Sequence, residues 1–322
     1  MDVLVIGTES LGVRGLCCLV HAGQRNILID PGVALGFLRH GRLPHPRQVA
    51  VGAAVRERII AAFSEATDIV ISHFHGDHIP CADANPFQLP LSRVPPVEGV
   101  VLWCPGPGSL SPLSRRRRAD LLAHPGWHPV TADGRDGPVL TFSRPVPHGG
   151  SLSRGGVVMT AIRHGGDVFV HASDIQMLDR EAVDIIRGWH PDAVIASGPP
   201  LYLDRLSPGE RALAWENARL LADAVPLCIL DHHLLRSRAG LGWLHHLSEE
   251  TGGSVISAAA FMGRVPLLLE AAREEEYASF EVPVGWHEEY ARGDAGFREF
   301  VDAGLLVEME RIRTATPVPL WE

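Results

Sequence analysis

Short runs of consecutive apolar residues, rich in valine and isoleucine, recur along the chain, and polar or glycine-containing turns separate them. Val3–Ile6 and residues 16–20 read as strands joined by Gly7–Gly12, and Asn26–Asp30 as a third strand ended by Pro31-Gly32. Together they predict an antiparallel meander. Ile69–Ile71 is β-branched and reads as a buried strand; Val100–Trp103, Val139–Phe142, Val157–Ile162, Val168–Val170 and Leu227–Leu230 follow. Between them lie helix-like stretches: Ala53–Ala66, preceded by breaks at Pro44 and Pro46, a helix capped by Ser114, then Leu201–Ala224 and Gly240–Glu250. Strand–helix–strand alternation predicts an α/β layered fold. Ser257–Phe261 and Pro266–Tyr277 read as helical. Residues 281–322, carrying Trp286, Tyr290, Phe297, Phe300 and Trp321, read as a helical appendage that packs on the core or forms a homodimer contact.

Composition narrows this picture only a little. A 322-residue chain with 46% hydrophobic and 21% charged residues can bury a sizeable core. A net charge of −9 argues against broad nucleic-acid binding, leaving a small-molecule or short nucleic-acid substrate. Five cysteines, with Cys17 and Cys18 adjacent and no Cys-x-x-Cys pair, make neither a disulfide framework nor a four-cysteine zinc site. Reduced cysteines predict a cytoplasmic protein. The N-terminus runs directly into a strand without a basic n-region, and no apolar run reaches membrane-span length, so no membrane role is expected. Neither a Gly-x-Ser-x-Gly elbow nor a Walker loop is present.

The chemistry concentrates in Asp68–Pro80. Immediately after the strand come His73, His75, Asp77 and His78, in the pattern His-x-His-x-Asp-His. Imidazole and carboxylate are donors that zinc and iron prefer, and Gly76 lets neighbouring side chains turn into one concavity. Three more strands lead to metal-competent residues: His148 after Val139–Phe142, Asp174 after Val168–Val170, and Asp231-His232-His233 after Leu227–Leu230. Strand C-terminal ends are where sites gather in α/β sheets. His171, three residues before Asp174, reads as a packing or supporting residue. The Arg115–Arg118 run reads either as an anion contact or as a solvated face. Cys81–Pro96, directly after the ligand cluster, is placed to line a substrate pocket.

The motif resembles the metal-binding signature of the metallo-β-lactamase-fold superfamily. Glu9–Arg14, Ile29–Gly36, Val146–Gly149, Ser173–Gln176 and Leu230–Arg236 extend the resemblance, over about residues 1–270, to a branch of predicted metallohydrolases. The resemblance implies an αββα four-layer sandwich over residues 1–265, with a C-terminal helical extension over 266–322. It also implies two divalent cations, zinc first, with iron or manganese as alternatives. His73, His75 and His148 would hold one, Asp77, His78 and a terminal histidine the other, and Asp174 would bridge them. An arginine four residues after His232 favours His232 as that terminal ligand; His233 is the fallback. Asp30 would support the ligand loop, or simply form the turn before Pro31. The expected activity is hydrolysis of a phosphodiester or a small ester, thioester or amide by a metal-bridging hydroxide, which Asp77 or Asp174 helps to orient. His233, Tyr202 and Arg236 are candidate leaving-group donors or substrate contacts. Arg14 is a candidate anion contact or a structural ion pair. The alternative is a di-iron oxygen-dependent oxidoreductase on the same ligands.

Overall fold

A computed structural model describes residues 1–108, 110–149 and 155–321. The first sheet is ordered β1 (Asp2–Gly7), β2 (Cys17–Ala22), β3 (Arg25–Ile29), β4 (Asp68–Val70), β5 (Val100–Cys104), β6 (Trp127–Thr131). Its first three strands are the expected antiparallel meander; from β3 onward the pairing is parallel. Helix α1 (Pro46–Glu65) covers its outer face, and α2 (Pro112–Leu122) connects β5 to β6. The second sheet starts from β7 (Leu140–Phe142) at one edge, and β8 (Val146–Pro147) and β9 (Gly156–Val157) form a separate antiparallel pair. It continues through β10 (Thr160–His164), β11 (Asp167–Ser173), β12 (Ala193–Ala196), β13 (Leu227–Leu230) and β14 (Val255–Ile256). Helices α3 (Arg180–Gly188), α4 (Pro208–Ala222) and α5 (Arg238–Glu250) cover its outer face.

Alternate residues of the same strand enter different cores, which establishes the layer order. Leu4, Leu19, Leu28 and Ile69 pack towards α1, whereas Val3, Val20, Ile27 and Val70 pack between the sheets. In the second sheet Val170, Val194 and Cys228 face the α3–α5 side, while Phe169, Ile195 and Ile229 meet the first sheet. Strands buried on both faces must be apolar throughout, hence unbroken runs rather than alternation. The architecture is the expected αββα sandwich of the α/β class.

Several boundaries differ from the sequence reading for identifiable reasons. Pro46 does not break a helix but starts α1 at its first position, where no amide donor is needed. Ser111, not Ser114, caps α2, again with proline following. Leu201–Ala224 contains α4 only from Pro208, where Ser207 and Glu210 form a capping box. Pro266–Tyr277 is not one helix: α6 (Ala258–Phe261) is short, and turns intervene before α7 (Arg273–Ser279). Then come α8 (Trp286–Arg292), α9 (Ala303–Arg313) and β15 (Val318–Pro319), which adds to the first sheet beside β1. Leu305, Met309 and Ile312 of α9 join the α1 core. Among the described residues no helix is long and apolar enough to cross a membrane.

His45 ties this C-terminal segment to α1. Its Nδ1 accepts from the Arg47 amide at 3.2 Å, and its Nε2 faces the Phe280 carbonyl at 3.2 Å. Burial, with the Arg47 cation nearby, depresses its pKa to about 4 despite the Phe280 carbonyl. The unfolded chain, with an ordinary value of about 6.5, therefore takes up the proton first. His45 contributes full stability above pH ~6.5 and loses it as pH falls towards ~4. His45→Asn, which can still cap, should flatten the pH dependence of the denaturation midpoint over that window. An unchanged slope in chemical denaturation series would contradict this.

Candidate metal centre

The loop after β4 is held from below by a buried polar knot. Asp30 ends β3, and its Oδ2 accepts from Ser72 Oγ at 2.7 Å and Ser173 Oγ at 2.6 Å; its Oδ1 accepts from the Ser72 amide at 2.8 Å. The same Oδ2 lies 3.0 Å from His78 Nδ1, which fixes a proton there and leaves Nε2 to point inward. Burial pushes the Asp30 carboxyl up, but His78 outweighs it and holds the pKa below the usual range. His73 is set likewise: Nδ1 meets Ser72 Oγ at 2.9 Å, so Nε2 is free. Asp30 is thus bonded to the loop that carries His73 and His78, besides ending its own strand before Pro31. Asp30, Ser173 and His232 all have positive φ, 46°, 51° and 21°. Non-glycine residues held there cost about 1–3 kcal/mol each and gather at functional sites.

Above this knot the predicted ligands converge. His73, His75, His148 and Asp174 offer donor atoms within 4.8 Å of one another, as do Asp77, His78 and His232, and Asp174, His232 and His233. Asp174 is 1% exposed, and its two oxygens divide the set. Oδ2 lies 2.7 Å from His148 Nε2, 3.5 Å from His73 Nε2 and 3.2 Å from His233 Nε2. Oδ1 lies 3.2 Å from His78 Nε2 and 3.4 Å from His232 Nε2, and Asp77 Oδ2 is 3.4 Å from the latter.

Electrostatics separate the donors by role. Burial and neighbouring imidazoles depress His73 and His75, and burial with the Arg236 cation depresses His233 and brings His232 down to about 4. These four are neutral near pH 7. His78 differs: burial opposes its charge, but Asp174 and Asp30 outweigh burial and raise its pKa well. Burial likewise pushes Asp77 and Asp174 up, and the surrounding histidines, with Arg236 for Asp77, bring both well below the usual carboxylate range. Buried His73 Nε2, His78 Nε2 and Asp174 Oδ1 meet no hydrogen-bond partner among the described residues. Such atoms are costly without a ligand, and cations held by the two donor groups would relieve that cost.

The remaining candidates separate clearly. Tyr202 Oη lies 3.1 Å from His233 Nδ1 and accepts from Arg236 Nη1 at 3.2 Å. Arg236 is buried, donates through Nε to Glu9 at 2.9 Å, and places Nη2 2.8 Å from His232 Nε2 and 3.4 Å from Asp77. Asp231 is not directed at the cluster: it accepts from Thr8 Oγ1 and the amides of Ser10, His232 and Ala258, which fixes the turn presenting His232. Arg14 is taken up by Glu270 through Nε and Nη2, the structural ion pair rather than an open anion contact. His171 sits inside β11, not beyond it, and its Nε2 meets the Leu16 carbonyl at 2.9 Å, away from the donors.

The supporting roles of Ser72, Ser173, Glu9 and Arg117 escaped the sequence reading. Nothing in sequence marks a serine as the support of a histidine. Arg117 Nη1 donates to the Phe74 carbonyl at 3.1 Å, so part of the arginine run braces the ligand loop. A cavity of about 290 Å³ opens over the first group, lined by His73, His75, His148, Phe74, Ser111 and Ser114.

No protein-family model matches the chain. Among solved structures, it is similar to Tm1679, a metal-dependent hydrolase of the β-lactamase superfamily (13% identity, TM-score 0.48, covering 80% of this chain and 95% of that one). It is also similar to an isothiocyanate hydrolase from Delia radicum gut bacteria (16% identity, TM-score 0.47, covering 80% and 96%). The layer order above, not these likenesses, establishes the fold. Sequence relatives are nearer. A UPF0282 protein of Methanosarcina mazei is 47% identical over 302 residues, 94% of this chain and 100% of its own length. Another, from Thermococcus gammatolerans, is 37% identical over 255 residues, 74% of this chain and 83% of its own. With identity of this order spanning the whole of a relative, the chain belongs to the UPF0282 family.

Proposed function

We propose that the protein is a binuclear metal-dependent hydrolase. The observation that carries this reading is the division of Asp174, whose two oxygens each face a separate group of donors. His73, His75 and His148 would hold one cation, Asp77, His78 and His232 the other, with Asp174 shared. Of the two terminal candidates, His232 Nε2 stands beside Asp77 Oδ2 and Asp174 Oδ1, whereas His233 Nε2 faces Asp174 Oδ2, the oxygen on the side of the first group. Zinc suits this nitrogen and oxygen set. When bound, the cation pair would supply Lewis acidity and a water acidified to near neutrality.

The chain's own residues would do the rest. Tyr202 accepts from Arg236 and so directs its own proton to His233 Nδ1, which leaves the proton of His233 on Nε2, facing Asp174. From there His233 would hand its Nε2 proton to the leaving group while Nδ1 takes the Tyr202 proton, and the phenolate so formed would rest against the Arg236 cation. Asp77, held by Arg236, and Asp174 would orient the attacking water. The cavity beside His75 and His148 admits a small substrate or the reacting end of a longer one. A phosphodiester or a small ester, thioester or amide meets these requirements.

Metal analysis of protein purified without chelator, followed by assays on a bis-aryl phosphodiester, a thioester and a lactone, tests this reading. About two equivalents of zinc with hydrolysis of at least one substrate is expected. Protein reconstituted with excess zinc that retains less than about half an equivalent would sink it. Iron with a visible absorption band and oxygen consumption would transfer the site to oxygen chemistry.

A further inference from the structure

On the far side of the post-motif loop, a cavity of about 450 Å³ lies between α1, residues 84–93 and the end of α8. Three arginines line it: Arg56, Arg93 and Arg292, with Gln88, Asn85 and Tyr290. No carboxylate lines it among the described residues. We propose that this cavity binds the phosphate group of a small molecule, at a site separate from the metal centre.

Arg56 carries the argument. It is only 6% exposed, yet its guanidinium meets neutral acceptors: Nη1 donates to the Pro86 carbonyl at 3.3 Å and Nη2 to Tyr290 Oη at 3.2 Å. A buried cation without a counter-charge is expensive, and an anion in the adjoining cavity removes that cost. Arg292 is paired with Asp294 at 2.9 Å, so, among the described residues, Arg56 and Arg93 supply two positive charges without a carboxylate partner, matching a phosphate dianion. The walls are already formed. Tyr290 stacks between Phe87, 6.2 Å away, and Trp286, 5.1 Å away. Asn85 Oδ1 accepts from the Phe87 amide at 2.9 Å, and Gln88 Oε1 from the Asn85 amide at 3.1 Å. The volume exceeds what a bare phosphate needs and accommodates a sugar or base attached to it.

Gln88 also donates to the Gly76 carbonyl at 3.4 Å, inside the metal-ligand motif. An anion that braces residues 84–93 therefore braces one wall of the metal loop.

The test uses the full chain, zinc-loaded and chelator-stripped, melted at constant ionic strength with inorganic phosphate, AMP or succinate. Stripping removes any phosphate held by cations, so a melting-point rise that survives it belongs to this cavity. Phosphate and AMP should both raise the midpoint of stripped protein, and Arg93→Gln should weaken their binding by about tenfold or more. AMP exceeding phosphate would identify a phosphomonoester as the ligand, and parity would identify the phosphate group alone. Arg56→Lys keeps the charge but loses the fork and should weaken binding similarly; if it does not fold, Arg93→Gln decides. No rise in stripped protein, an equal rise in Arg93→Gln, or an equal rise with succinate would overturn the proposal.

Discussion

Asp174→Asn should release both cations together. Each oxygen of this carboxylate faces a different donor group, and the amide nitrogen of asparagine would point a donor at one of them. Metal affinity should fall by at least about 100-fold at both positions. Hydrolysis should fall by about 10³-fold or more, equivalent to roughly 4 kcal/mol of barrier. His148→Gln gives the contrast: His148 serves only the Oδ2 group, so one equivalent should remain bound. Titration against a chromophoric chelator distinguishes the two variants. An Asp174→Asn protein holding two equivalents at parental affinity would exclude a shared carboxylate.

The same residue shows what was legible before any coordinates. His73, His75, Asp77 and His78 lie within six positions, so the motif was visible as a cluster, and the apolar runs ending at Asp174 and His232 placed both at strand tips. The four-layer fold followed from the resemblance; the alternation of Val3 and Leu4 between two cores shows why the runs were unbroken. What stayed hidden were partnerships across long separations. Ser173 supports Asp30 from 143 residues away, and Arg236 reaches Glu9 across 227. Strand β12 was also missed, since Ala193–Ala196 is short and lies between helices. Arg14 reads as either an anion contact or a structural ion pair, and Asp231 as one of three metal-competent residues, because arginine and aspartate are chemically competent. Their neighbours, Glu270 and a ring of amides, are invisible in the local sequence.

Gly32→Ala should do at one backbone position what a ligand deletion does at one side chain. Gly32 follows Asp30-Pro31, and its amide bonds the Asp30 carbonyl at 2.7 Å, so its place is set by the buttress of the site. A methyl group there would overlap the backbone of His78 and Ile79 and lie 2.7 Å from the His78 amide nitrogen. A Cβ on Gly15 would meet the Asp77 carbonyl at 2.6 Å and the Gly32 carbonyl at 3.1 Å. The Asp77–Ile79 segment therefore runs in a slot walled by two adjoining glycines, and no rotamer change relieves an overlap between backbones. The segment must shift, moving Asp77 and His78 away from His232 while leaving His73, His75 and His148 nearer their places. Overpacking of this kind costs about 1–3 kcal/mol. Binding at the Asp77–His78–His232 group should weaken by about 10–100-fold, with the other group less affected. Gly188→Ala, at the end of α3 with open space around its Cβ, is the matched control and should leave both metal stoichiometry and stability near the parental values. Calorimetric zinc titration of the two variants reads the difference directly, and parental binding in Gly32→Ala would show that the slot does not set the position of His78.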